Sequence, residues 1–210
     1  MSGGKDYVKV LDGNGRTVMR KKFEVQSSKT VYTHVYLNIV ALQALRQAEA
    51  IEEGRFYSCM TAELFSAFCL EAYLNYLGMQ KIPYWESVER KLGPSEKLKI
   101  ICHEINLKPD FGSRPFQSFS VIFQLRNSLV HGKTEYLEKS DDQSLEDGER
   151  PKLPEIKWKS LVSLDMANQF TKDTQEMIEI IHAKSGIRRN PFATPETGRW
   201  GARPSQIDHK

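Results

Sequence analysis

The chain has 210 residues, a formal net charge of +3 and 40% hydrophobic residues, enough for one domain with a real core and perhaps appendages. The mild basicity permits contact with nucleic acid without arguing for it. No apolar run is long enough to span a membrane, residues 1–6 lack the apolar segment of a secretory signal, and three cysteines without CxxC spacing fit a reducing, cytoplasmic setting.

Residues 7–25 alternate around Asp12-Gly13-Asn14-Gly15 and predict a β-hairpin, with 1–28 set apart as an N-terminal appendage. A hairpin alone is marginal, so it should pack on the helical body or on another subunit. From Thr33 the period turns helical. Val35, Ile39, Leu42 and Leu45 mark one face of a helix reaching about Glu53, with Gly54 as its stop. A second helix spans roughly 56–77 and is closed by Gly78. It is apolar almost all round, which predicts the central, most buried helix. Shorter helices follow near 84–92 and 95–105. A fifth covers about 115–131, with Pro115 near its start. Residues 134–157 form an acidic, structure-poor loop carrying Asp141, Asp142, Glu146, Asp147 and Glu149. A last long helix runs over about 159–184. After Gly186 the chain is rich in Arg, Pro and Gly, and 186–210 reads as a flexible basic tail.

The run Arg126-Asn127-Ser128-Leu129-Val130-His131-Gly132 carries the most chemistry. Phe116, Phe119, Phe123 and Val130 form a helical stripe, and Arg126 lies on it. A guanidinium on a core face is costly unless paired. Its natural partner is on the 56–77 helix, where Glu71 and Asn75 are one turn apart and at least one must point inward. A Glu71–Arg126 tie of that kind is structural and needs no substrate. His131 closes the helix, where the dipole favours a charged imidazole, and capping alone would account for it. Together, however, an imidazole that shuttles a proton and a guanidinium that holds phosphate oxygens suit cleavage of an RNA phosphodiester.

Arg126-Asn127-x-x-x-His131 resembles the Arg–polar–x–x–x–His signature of HEPN domains. Ser66-Ala67-Phe68-Cys69-Leu70-Glu71-Ala72-Tyr73-Leu74-Asn75 resembles the Leu-Glu-Ala-x-Leu-Asn helix that often precedes it. The resemblance covers about residues 33–185 and implies an all-α, HEPN-like helical bundle with the hairpin as an appendage. It also implies a homodimer whose signature helices face each other across a cleft. In the ribonucleases of the family the matching Arg and His are catalytic. The resemblance therefore implies that Arg126 and His131 are catalytic, that Asn127 orients the site, and that Glu71 and Asn75 support it. The implied substrate is RNA, in a defence or stress-response setting, with an antitoxin or regulatory protein as a further partner class. Other HEPN proteins are silent interaction or nucleotide-binding modules, and that reading stays open. One departure is geometric: five residues on a regular helix set Arg126 and His131 about 140° apart. Both reach one cleft only if the helix loosens before Gly132 or a partner subunit supplies one of them.

Other motifs are sparse. His103 after Cys102, His34 and His182 give no metal-ligand spacing, and no P-loop, GxGxxG or GxSxG is present, so neither metal nor cofactor is expected. Trp85 and Trp158 read as packing or interface residues. Arg20-Lys21-Lys22 reads as the solvated side of a hairpin strand; Arg188, Arg189, Arg199 and Arg203 read as a solubilising disordered tail, with contact to RNA or a partner as the alternative.

Overall fold

The structure is a computed structural model that describes residues 7–140, 150 and 153–204. It is mainly helical. In chain order the elements are strands β1 (Tyr7–Leu11), β2 (Thr17–Lys21) and β3 (Phe23–Val31), then helices α1 (Thr33–Ala50), α2 (Arg55–Lys81), α3 (Trp85–Val88), α4 (Pro94–Glu104), α5 (Ser118–Val130) and α6 (Leu164–Ser185), and last strand β4 (Glu196–Pro204). A 3-10 turn at Lys157–Leu161 precedes α6. The chain divides into two compact units, 1–31 with 196–210, and 32–195. No described helix is long and apolar enough to cross a membrane.

In the helical unit α2 is the hub, packing against α1, α3, α4, α5 and α6. Its sequence requires this: Cys59, Ala62, Ala67, Cys69, Leu70, Tyr73, Leu74 and Leu77 point several ways round the axis and are all buried. Helix α1 lies along α2 through a stripe of small residues, Ala41, Ala44 and Ala48, with Val35 and Leu45. Ile39 from the expected face is instead 38% exposed. Alanines allow closer approach of two helices than branched side chains, and this packing sets the rotation of α1.

Gly78 does not close α2, which continues to Lys81. A Cβ at Gly78 would lie 2.2 Å from the ring of Trp85, so the glycine makes room for that buried indole. Gly54 does not stop α1, which ends at Ala50 with Ile51 extended; at φ 73° it is the left-handed residue before α2, and Gly186 at φ 72° follows α6. The hydroxyl of Ser163 caps α6 by accepting from the Met166 amide at 3.2 Å.

The second unit holds two antiparallel pairs. Strands β1 and β2 form the expected hairpin, with Asp12 accepting from the amides of Asn14 and Arg16 at 3.0 and 2.8 Å to fix the turn. Strand β3 pairs with β4 along nine residues, from Phe23 opposite Pro204 to Val31 opposite Glu196. The reading of 186–210 as a flexible tail is thus corrected over Glu196–Pro204. Backbone pairing with a strand more than 160 residues away, not composition, orders this segment. The acidic positions 141, 142, 146, 147 and 149 lie outside the described residues, as does 205–210.

Candidate active site

Helix α5 turns Phe119, Ile122, Phe123 and Leu125 into the core. Ser120, Gln124, Asn127 and Val130 are exposed, and Arg126 lies between the two faces. The start of the helix is fixed by a buried carboxylate. Asp173 of α6 is fully buried and takes a forked contact from Arg114, Nε at 3.0 Å to both oxygens and Nη2 at 2.7 Å. It also accepts a hydrogen bond from the hydroxyl of Ser118, the first residue of α5.

Further along, Arg126 Nη2 donates to Glu71 Oε2 at 3.0 Å and Nη1 donates to Asn127 Oδ1 at 2.9 Å. Glu71 Oε1 accepts from Lys97 Nζ, also at 3.0 Å. One carboxylate therefore bridges two cations, with side-chain exposures of 6% for Lys97, 19% for Glu71 and 21% for Arg126. The Phe68 ring lies 6.0 Å from the guanidinium carbon. Two polar atoms here are buried without a hydrogen-bond partner, Arg126 Nε and Asn75 Oδ1. Lys97 escaped the sequence reading. Its signal is its place one turn before the buried Ile101 on α4, a lysine on an apolar stripe.

His131 stands apart from this cluster. It lies just beyond the helix, at φ −105° and ψ 15°, with its amide still donating to Asn127 O at 3.0 Å. The helix loosens at this residue, and at Gly132 a Cβ would press on Ser128 O at 3.1 Å. Among the described residues the imidazole makes no hydrogen bond or ion pair. It lines a cavity of about 740 Å³ with Gln124, Ser128, Lys133, Lys157 and Trp158, to which Arg126 does not contribute. Asn127 and His131 are one turn apart and both exposed. The structure thus joins Glu71, Arg126 and Asn127, and leaves His131 on the outward side of the same helix end.

The three cysteines, His34 and His182 are shielded. Burial pushes the Cys102 thiol up to about 11 and that of Cys69 higher still, out of the range of a useful nucleophile. Burial lowers His34 to about 4, leaving it neutral, with Nε2 donating to Pro191 O at 2.9 Å. Tyr73 Oη and His182 Nδ1 are 3.0 Å apart in the core. No group of three or more His, Cys, Asp or Glu placed to hold a metal occurs among the described residues. The chain matches no family model, no curated protein and no solved structure.

Proposed function

We propose that the chain is a metal-independent endoribonuclease of HEPN type, acting as a homodimer in the cytoplasm, in defence or stress response. The observation that carries the reading is the division of labour at the end of α5. A partly exposed guanidinium is held in place by Glu71 and Asn127, and one turn beyond Asn127 an exposed imidazole faces a cavity. In this reading His131 takes the proton from a ribose 2′-hydroxyl as that oxygen attacks phosphorus. The 5′-oxygen leaves with a proton returned by an imidazole, and a 2′,3′-cyclic phosphate forms. Arg126 offsets the charge that builds on the phosphoryl oxygens. Glu71 fixes the guanidinium, and Asn75, one turn along α2 from Glu71, carries a buried oxygen without a hydrogen-bond partner. Because Arg126 and His131 do not share a cavity within one chain, a two-fold pairing of α5 helices supplies the composite cleft.

The test is cleavage of end-labelled single-stranded RNA in EDTA by wild type, Arg126→Ala and His131→Ala. Cleavage by wild type that both variants lose supports the reading, and a folded dimer without activity removes it. A second reading, a silent HEPN interaction or nucleotide-binding module that an antitoxin or regulatory protein would engage, rests on its own observation. Arg126 already has a full-charge partner in Glu71, as a purely structural tie requires.

A further inference from the structure

The charge of this chain is unevenly distributed. Between 7–31 and 196–204 the sequence has eight basic residues and three acidic ones, whereas the chain as a whole is only +3. The strand unit therefore holds more than the entire net positive charge, and the helical unit is slightly acidic. All three carboxylates among the described residues of the strand unit are engaged. Asp12 is used by the turn amides, Glu24 takes a forked contact from Arg203 at 2.8 and 3.0 Å, and Glu196 pairs with Lys29. Lys9, Arg16, Arg20, Lys21, Lys22 and Arg199 are left exposed, without a carboxylate partner among the described residues.

Apolar rings accompany these cations. Trp200 is 79% exposed, Phe23 48% and Tyr7 47%. The pairing of β3 with β4 puts Phe23, Val25, Trp200 and Ala202 on one face, and Arg199 with the Glu24–Arg203 pair on the other. Lys21 Nζ lies 5.9 Å from the centre of the Phe23 ring. Strand pairing thus joins two segments that are far apart in sequence, Arg20-Lys21-Lys22-Phe23 and Arg199-Trp200, in one unit. Neither hydrophobic burial nor internal ion pairing accounts for such a surface. Unpaired cations interleaved with exposed rings fit an extended polyanion with stackable faces.

We infer that the paired strands β1–β4 form a binding surface for single-stranded nucleic acid, with Arg20, Lys21 and Lys22 against the phosphates and Trp200 and Phe23 stacking on bases. The surface contains none of Arg126, Asn127 or His131, so it stands or falls separately from the nuclease reading.

The experiment measures binding of the full chain to a fluorescent 2′-O-methyl oligoribonucleotide, which lacks the internal nucleophile and survives any cleavage of that type. Affinity is followed from about 50 to about 200 mM salt. Each phosphate contact to a single strand contributes roughly 0.7 to the slope of log affinity against log salt. The triple variant Arg20→Ala/Lys21→Ala/Lys22→Ala should lower that slope by about 2. Trp200→Ala should weaken binding about fivefold or more with an unchanged slope. All four positions are exposed, and circular dichroism checks that the variants fold. Equal affinity and slope for wild type and the triple variant would overturn the proposal. So would preference for an acidic peptide or for anionic phospholipid vesicles over the oligonucleotide.

Discussion

Replacing Glu71 by Gln tests the account of Arg126 through an order of effects. Glu71 bridges two cations, and Lys97 is the more deeply buried of them, at 6% exposure. Glu71→Gln leaves both cations without a counter-charge. Removing one member of a buried ion pair costs about 3–5 kcal/mol, and about 3 kcal/mol is expected here because Glu71 itself retains some water contact. Arg126→Ala is milder, since Glu71 keeps Lys97, and it should cost about 1–2 kcal/mol. For a domain of this size the first change lowers Tm by roughly 6–12 °C. Adding Lys97→Met to Glu71→Gln removes the stranded ammonium and should restore more than half of the loss. Urea denaturation followed by circular dichroism measures all three. A Glu71→Gln cost equal to or below that of Arg126→Ala would refute the shared-carboxylate argument.

Arg114→Ala strands the Asp173 carboxylate in the core with only the Ser118 hydroxyl. It should cost about 3 kcal/mol, and a urea midpoint like that of wild type would contradict this. Gly78→Ala drives a methyl into the Trp85 ring and should cost about 2 kcal/mol or more with a change in near-ultraviolet dichroism; an unchanged Tm would contradict the packing. Glu63 gives a pH dependence. Burial pushes its carboxyl up from 4.5 to about 8, so the folded protein keeps a proton that the unfolded chain releases. Its contribution to stability is complete below about 4.5 and is lost as pH rises to about 8, by at most about 1.4 kcal/mol per pH unit. Glu63→Gln keeps an acceptor for the Ser163 amide and should flatten this slope in urea titrations; an unaltered slope would contradict it.

What the sequence disclosed, and what it did not, follows from the range of the interactions. The helices were legible because their pattern is local: Phe119, Ile122 and Phe123 repeat with the helical period whatever lies opposite them. The Glu71–Arg126 contact followed from charge, since a guanidinium on an apolar stripe requires a carboxylate and the neighbouring buried helix offered one. Lys97 shows its burial in its place on the apolar stripe of α4, but that stripe does not say which carboxylate it meets. Gly78 was misjudged because a glycine that ends a helix and one that admits an indole look alike until the neighbour is known. The pairing of β3 with β4 joins segments more than 160 residues apart in sequence, and no local alternation in 196–204 announces it. The separation of His131 from Arg126 does follow from helix geometry, since residues five apart face different ways.

The most direct test of the central claim is the chemistry of the cut itself. RNA with one 2′-deoxy substitution at a mapped cleavage position is incubated with the protein in EDTA. The account predicts 2′,3′-cyclic phosphate ends on the all-ribose strand and no cut at the substituted position. Cleavage there, or products with 5′-phosphates, would contradict an internal 2′-hydroxyl nucleophile served by His131 and Arg126.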